Sequence, residues 1–262
     1  MAIVVVMTVF PIFWVVATSF KTENEWFAFP VHWLPKRPTL SNYVLAFASE
    51  YGVRAISNSL IVALGGTALA LLTGFPAAYV ISRYRMGKFG LFIVPLIIRA
   101  SLPAAVAIPL LVFYASLGLV DTTGGLALVY GATTVFYIIW MVKPFVDAVP
   151  REVEEAAMID GVPRWKIPFS LILPMVAGGV VAATIFVFML NWTEFVLALN
   201  LTRFDARTVP LQMAAFSELG AISEGQGQAA ALSTVSLVPF IFIAYQLQKR
   251  LIRTFFVGAV RG

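Results

Sequence analysis

Six apolar runs, each long enough to cross a membrane, restrict the fold of this chain more than any other feature. They cover residues 2–20, 58–81, 89–117, 126–146, 171–199 and 229–248. A helix of about 20 apolar residues spans the hydrocarbon core of a bilayer. Only 12% of the residues are charged, whereas soluble domains carry about 25%. The sequence therefore predicts an all-α polytopic membrane protein with six transmembrane helices, folded as a single domain over residues 1–262.

Lysine and arginine predict the orientation of these helices. Eleven of the 18 basic residues follow the second, fourth or sixth run, and six lie on the other side. Cytoplasmic segments are enriched in lysine and arginine. Both termini are therefore expected in the cytoplasm, with a cytoplasmic tail at about 249–262 and an external loop at about 21–57. No basic segment precedes the first run, as expected if the natural N-terminus has been trimmed.

The composition argues against several kinds of chemistry. The chain has no cysteine, so it has no disulfide and no thiolate metal site, and His32 is its single histidine. It contains no G-x-x-x-x-G-K-[ST] loop, so it does not bind ATP by that device. The net charge of +5 comes from short clusters beside apolar runs, a pattern of membrane topology rather than of nucleic-acid binding. We expect no enzyme activity, no metal site and no nucleic-acid partner.

A short charged helix is predicted between the fourth and fifth runs, at about residues 150–161. Pro150 suits a first helical position, and the acidic residues after it suit the positive end of the helix dipole. Gly161 suits the position just past the end, and Pro163 prevents continuation. Two interpretations stay open from the residues alone. The helix is either a knob for the groove of a soluble partner or an amphipathic turn lying on the membrane.

This stretch, EEAAMIDGVPRWK, resembles the EAA loop of permease subunits from binding-protein-dependent ABC importers. That loop has E-A-A, three residues, G, nine residues and then I-x-L-P. Here Glu155-Ala156-Ala157 is followed at the same spacing by Gly161 and then by Leu171-x-Leu173-Pro174, with Leu171 in place of isoleucine. GLVDTTGGL (118–126), NWTEFVLAL (191–199) and FFVGAVRG (255–262) resemble the carbohydrate-uptake branch, of the type of the smaller maltose permease subunit.

The resemblance implies a type I ABC importer permease fold in a bacterial or archaeal cytoplasmic membrane. It implies as partners a second permease subunit in a heterodimer, two ATPase subunits that hold ATP and Mg, and an extracytoplasmic solute-binding protein. No cofactor is expected in this chain. The helix would dock on the ATPases, with Arg261 and Gly262 of the tail also against them. The residues so implicated in ATPase coupling are Glu154, Glu155, Ala156, Ala157, Asp160, Gly161, Leu173 and Pro174.

Energy is expected to enter the membrane through this helix. Its displacement would tilt the fifth span, with Pro168 and Pro174 shaping the joint. The expected function is import of a sugar or polyol. Two alternatives stay open: a permease for a non-sugar solute in the same class, and a stand-alone secondary carrier. The carrier would be expected to contain an internal repeat, which the sequence does not show.

Polar residues at membrane depth are candidates for the translocation pathway, because they are costly there and usually functional. Arg99 lies in the third run, and Asn191, Trp192 and Glu194 lie in the fifth. Trp192 would stack on a sugar ring while its neighbours bond hydroxyl groups; alternatively, the patch packs against the partner permease and braces the outer gate. Arg99 lines the cavity or pairs with Glu194; alternatively, it is buried between helices against backbone carbonyls. Asp121 is interpreted as a turn former before the fourth span.

Overall fold

The computed structural model describes residues 2–26, 28–48, 50–84, 107–219 and 225–259, and the regular structure in these residues is helical. The helices are α1 (Ala2–Ser19), α2 (Glu23–Trp26), α3 (Ser41–Ala48), α4 (Glu50–Tyr84), α5 (Ala107–Ser116), α6 (Thr123–Asp147), α7 (Arg151–Ile159), a π-helix (Pro168–Ile172), α8 (Leu173–Met175), α9 (Ala177–Trp192), α10 (Val196–Leu201), α11 (Val209–Leu219) and α12 (Gly225–Ala259).

The described helices form two compact units. The terminal unit comprises residues 1–58 and 207–262, and the central unit comprises residues 59–206. In the terminal unit, α12 packs against α1, α3 and α11. The core of this unit is small and rich in alanine, as is common where helices approach closely in membranes. Its buried apolar residues are Ala46, Ala55, Val209, Phe216, Ala229, Ala231 and Leu232.

The side chains of Glu25 and Asn42 hold the loop after α1 by hydrogen bonds to its backbone. The Glu25 carboxylate accepts hydrogen bonds from the backbone N–H of Thr22 at 3.2 Å and of Lys36 at 2.8 Å. The Asn42 side chain donates to the carbonyl oxygens of Ser19 and Lys21, both at 2.8 Å. The segment between α1 and α3 is therefore held by buried polar side chains as well as by apolar contacts.

The central unit is built on the packing of α6 against α9. Its core draws on α4, α6, the π-helix and α9, and contains large β-branched residues such as Ile138 and Ile172 beside small ones such as Ala183. α10 packs against α5 and α6. The same core reaches the segment between α7 and α9, because Ile167 and Ile172 are completely buried in it.

Two of the expected spans are continuous helices of sufficient length and apolarity to cross a membrane, at Tyr51–Tyr84 and Thr123–Asp147. α6 begins where the Thr122 hydroxyl accepts a hydrogen bond from the N–H of Gly125 at 3.0 Å, an N-terminal cap. The first run forms a shorter apolar helix, described as Val4–Ser19, and the sixth lies within α12. Most of the third run, including Arg99, lies outside the described residues. The total of six spans stays a prediction.

The fifth span differs from the expected continuous segment at 171–199. The π-helix and α8 are followed by a bend of 85° before α9, and the helix is interrupted again between Trp192 and Val196. Pro174 accounts for the π-helical turn before it, since proline lacks an N–H and its ring clashes with the carbonyl one turn earlier. The bend itself falls after Pro174, at Val176. The pair forms a third span only if the bent segments are counted together.

Candidate functional site

The short helix α7 is present where the sequence predicts it, with Pro150 as the residue before its first turn rather than within it. Its C-terminal end is closed by Gly161, whose φ of +84° is accessible mainly to glycine. The N–H of Gly161 donates to the Met158 carbonyl at 3.1 Å, and the N–H of Val162 donates to the Ala157 carbonyl at 2.9 Å. This pair of bonds is a Schellman motif, which terminates the helix sharply and turns the chain toward the fifth span.

The exposed face of α7 carries most of the residues singled out from the sequence. Glu155, Ala156, Asp160 and Gly161 are exposed, and Ala157 is partly buried. Ile159, which the sequence argument did not single out, is 87% exposed. An isolated exposed isoleucine needs no explanation, but this one lies near the small residue Ala156 and the acidic residues Glu155 and Asp160, which are also exposed. The face therefore combines a flat small-residue surface with one large apolar side chain.

The opposite face of α7 is fixed to the end of α4 through Glu154, which is only 8% exposed. The Tyr79 hydroxyl donates to Oε2 of Glu154 at 2.7 Å. The Arg83 guanidinium donates through Nε to Oε1 of the same carboxylate and forms an ion pair with it. Both carboxylate oxygens of Glu154 thus accept hydrogen bonds from α4, so this side chain attaches α7 to its own chain rather than facing outward.

Arg83 also bonds the chain on either side of Pro150. Its Nη2 donates to the carbonyl of Val149 at 3.1 Å, and its own carbonyl accepts from Nη2 of Arg151. A second link lies nearby, where the Ser82 hydroxyl donates to the Asp147 carboxylate at the end of α6. The ends of α4 and α6 and the first turn of α7 therefore form one bonded cluster.

Leu173 and Pro174, at the other end of the predicted motif, lie in α8 between the π-helix and the bend. Leu173 is partly buried and packs against the core of the central unit, whereas Pro174 is exposed. Between α7 and this region the Trp165 side chain is exposed, with Nζ of Lys166 at 5.2 Å from its ring centroid. The motif thus runs from an exposed helix into a segment embedded in the core.

The three polar candidates of the fifth run are all buried. The Asn191 side chain donates to the Thr67 hydroxyl at 3.2 Å, and the Trp192 ring lies 5.7 Å from that of Phe188. The Glu194 carboxylate accepts from the N–H of Leu197 at 3.0 Å and of Ala198 at 3.3 Å, which caps the first turn of α10. Asn191 therefore links α9 to α4, and Glu194 stabilises the start of α10 after the second break.

Asp121 connects two distant segments of the chain, beyond the turn that its sequence context predicts. Its carboxylate accepts hydrogen bonds from four consecutive backbone N–H groups, those of Arg203, Phe204, Asp205 and Ala206, at 2.9 to 3.1 Å. Its own N–H donates to the Leu201 carbonyl at 2.8 Å. A turn was expected and is present, with φ of +57°. The link to a loop more than 80 residues later carries no local sequence signal.

The electrostatics of Asp121 follow from this geometry. Burial by itself raises the pKa of its carboxyl group, but the N–H groups of Arg203, Phe204, Ala206 and Asp205 outweigh that effect. They hold the pKa below its ordinary value because hydrogen bonds to the charged form favour that form. Asp121 is therefore a charged carboxylate at neutral pH. Its carboxylate and the four N–H groups bonded to it are called the Asp121 clamp below.

Comparison with known families decides the assignment. Residues 70–257 match the family described as binding-protein-dependent transport system inner membrane component. The chain belongs to this family. Its matched region contains α7, the motif that follows it, and the whole of the fifth run. Membership implies partners of the ATPase and substrate-binding kinds, which complete transport systems of this class.

Individual relatives match the permease over nearly its whole length. It is 33% identical to the sulfoquinovosyl glycerol transport system permease of Agrobacterium fabrum, over 100% of this chain and 92% of that protein. It is 30% identical to the trehalose transport system permease of Mycobacterium tuberculosis, over 99% and 95%. It is also 30% identical to the trehalose/maltose transport system permease of Thermococcus litoralis, over 98% and 93%. These relatives are transport permeases, not enzymes.

The fold has a close counterpart among solved structures. A chain of a bacterial ABC transporter involved in the import of the acidic polysaccharide alginate superposes with a TM-score of 0.73, covering 95% of the permease and 92% of that chain. The sequences are 20% identical, so this likeness concerns the fold. It confirms the ABC importer permease fold expected from the sequence.

Proposed function

We propose that this permease is the membrane-spanning subunit of an ATP-driven importer of sugars or polyols. Its relatives in Mycobacterium tuberculosis and Thermococcus litoralis carry trehalose or maltose in their names, and that in Agrobacterium fabrum carries sulfoquinovosyl glycerol. We propose that the chain forms half of the translocation pathway with a second permease subunit. A non-sugar solute remains the alternative cargo within the same class.

The observation that carries the proposal is the two-faced helix α7. An exposed face with Glu155, Ala156 and Gly161 at the EAA spacing supports docking in a groove of an ATPase subunit. The opposite face is bonded through Glu154 to the rest of the chain. A helix with one free face and one anchored face suits a part that receives force from a partner and passes it inward. ATP and Mg would be held by that partner.

We further propose six spans in one permease domain, with both termini and α7 in the cytoplasm and the loop at about 21–57 outside. The distribution of lysine and arginine supports this orientation. The family description as an inner membrane component supports the bacterial or archaeal cytoplasmic membrane.

For the pathway residues, burial supports bracing rather than contact with a sugar. Asn191, Trp192 and Glu194 are engaged with the permease's own helices, so we propose that they stabilise the outer part of the fifth span. Arg99 is retained as the candidate pathway residue, because an ionised side chain within an apolar run is costly unless it faces a polar cavity or a partner.

The test is ATP-dependent uptake by the assembled importer in liposomes, with radiolabelled trehalose or maltose as the probe. Gly161→Asp and Glu155→Lys are expected to leave insertion intact and to abolish uptake. Gly118→Asp is the matched control: Gly118 also has positive φ, at +66°, and a Cβ at either glycine would meet nothing within 4 Å. Uptake at the wild-type rate by both α7 variants would refute the coupling role.

A further inference from the structure

The chain that follows α7 does not lead straight into a membrane-spanning helix. After Gly161 the backbone passes through a turn, a π-helix and an 85° bend before α9 begins. A π-helix is rare and occurs mostly as a single turn inserted into an α-helix. Across a bend of 85°, a displacement along the first segment is not directed along the axis of α9. The direct bonds of α7 lead elsewhere, to the end of α4.

Three bonded points connect α7 with α4. Glu154, one turn into α7, accepts from both Tyr79 and Arg83. Just ahead of α7, the Val149 carbonyl accepts from Arg83, and within the first turn Arg151 donates to the Arg83 carbonyl. Tyr79 and Arg83 are four residues apart on α4, so they lie on the same face of that helix. Attachment at several points along one face resists both sliding and rotation of α7.

We infer that Glu154, Arg83 and Tyr79 strap α7 to α4, so that α7 and the C-terminal part of α4 move together as one rigid piece. This inference rests on the proposed function of α7. It makes the second span, together with the end of the fourth span that is bonded to it through Ser82 and Asp147, receive the displacement of α7 before the fifth span does. Glu154 and Arg83 are then positioning residues for coupling, acting through the placement of α7 rather than through contact with ATP or solute.

The packing of the central unit agrees with a rigid piece. Ile81 of α4, Val149 ahead of α7, and Ile167 and Ile172 beyond it are buried in the same apolar core. The segment after α7 is therefore held in the same core that contains the end of α4. A hinge at Pro168 would have to pull Ile167 out of this core, which protein interiors resist because they are close-packed.

A buried ion pair suits positioning better than stability. Replacing such a pair by apolar residues is often neutral or stabilising, whereas removing one partner is strongly destabilising. The value of the Glu154–Arg83 pair is that only one arrangement of the two helices satisfies the carboxylate, the guanidinium and the Tyr79 hydroxyl together. An apolar contact at the same place would tolerate small displacements.

The absence of cysteine from the sequence makes a distance measurement direct. Spin labels at Tyr84→Cys and Glu152→Cys occupy exposed positions on α4 and α7. In the importer purified with its partners, the distance between the labels is expected to be the same without nucleotide and with ATP and vanadate. A shift of that distance between the two states would overturn the inference, because α7 would then move relative to α4.

Functional variants provide the second measurement. Arg83→Gln and Glu154→Gln are expected to lower uptake per ATP hydrolysed by about fivefold or more, the lower end of coupling between distant sites. The swapped variant Arg83→Glu/Glu154→Arg is expected to recover part of that loss. Lys143→Gln is the matched control, since it breaks a pair with Asp147 that lies within one helix.

The outcomes separate this inference from the function on which it rests. Loss of ATP-dependent uptake in Gly161→Asp, together with full coupling in both Gln variants, would overturn the strap and leave the proposed function standing. Wild-type uptake by both Gly161→Asp and Glu155→Lys would instead refute the coupling role of α7, on which the inference rests. If the Gln variants fail to assemble, the distance measurement on the otherwise wild-type importer decides alone.

Discussion

Removal of the Asp121 carboxylate should lower the free energy of unfolding, and the burial of its four N–H partners indicates by how much. The N–H of Ala206 is the costly one, because Ala206 is 0% exposed and leaving a buried donor unpaired costs about 1–3 kcal/mol. The N–H groups of Arg203, Phe204 and Asp205 belong to exposed residues and can bond water, so each is worth about 0.5 kcal/mol. Asp121→Gly, which keeps the positive φ accessible, should therefore cost about 3–4 kcal/mol.

Asp121→Asn is the graded partner of this variant. Oδ1 of Asp121 accepts from Arg203 and Ala206, whereas Oδ2 accepts from the two exposed residues Phe204 and Asp205. An asparagine can place its side-chain carbonyl oxygen where Oδ1 of Asp121 lies, and it tolerates positive φ. It loses the charge and two water-exposed bonds, so we expect a cost of about 1–2 kcal/mol.

Thermal unfolding of the detergent-solubilised permease, followed by the fluorescence of its six tryptophans, measures both effects. A loss of 1 kcal/mol lowers Tm by about 2–4 °C in a chain of this size, so Asp121→Gly should lower it by about 10 °C and Asp121→Asn by about 4 °C. Equal shifts for the two variants, or none for Asp121→Gly, would refute the argument that the buried Ala206 N–H dominates.

The clamp should also depend on pH. Because the pKa of Asp121 is lowered in the folded chain, its stabilising contribution is fully present above the unfolded pKa of about 3.9 and is lost as pH falls through the lower folded value. Between neutral pH and about pH 4 the difference in Tm between wild type and Asp121→Asn should stay constant, and it should shrink below that range. A difference that shrinks already between pH 7 and pH 5 would contradict this assignment.

Two further predictions concern packing and the loop after α1. A Cβ on Gly179 would lie 2.4 to 2.7 Å from ring atoms of Phe145, whereas one on Gly178 would meet nothing within 4 Å. Gly179→Ala should therefore lower the free energy of unfolding by about 1–3 kcal/mol, and Gly178→Ala should not, as measured by Tm. Equal effects of the two substitutions would contradict the α6–α9 contact. Burial raises the pKa of Glu25, but backbone N–H groups led by that of Lys36 outweigh it and keep the pKa lowered. Glu25→Gln should therefore loosen the loop and speed tryptic cleavage after Lys36 at neutral pH; cleavage at the wild-type rate would count against this role.

Local sequence signals predicted the features that depend on neighbours in the chain. Gly161 and Pro163 mark the end of α7 because a positive φ and a missing N–H are properties of single residues. The apolar run at 126–146 predicts most of α6, which begins three residues earlier, at Thr123. Proline at 168 and 174 predicts a joint near the fifth span, but not a bend of 85°.

Features that depend on distant partners were not predictable in this way. The EAA spacing groups Glu154 with residues that face an ATPase partner, yet its hydrogen-bond partners lie 71 and 75 residues earlier in α4. The local sequence predicts only a turn at Asp121, because the N–H groups that its carboxylate binds lie 82 to 85 residues later. A carboxylate has the same local appearance whether it faces water, a partner or the interior. Only the packing of the helices decides between these environments.

Cross-linking from Ile159 tests the central claim, that α7 receives the work of the ATPase subunits, most directly. Ile159→Cys in the assembled importer, treated with a maleimide photo-cross-linker, should form an adduct with an ATPase subunit, in a yield that differs between the nucleotide-free and ATP-trapped states. Phe29→Cys, on an equally exposed side chain in the loop after α1, should form none. Labelling of Ile159→Cys from the external side only, or an adduct with no co-purifying ATPase, would contradict the account.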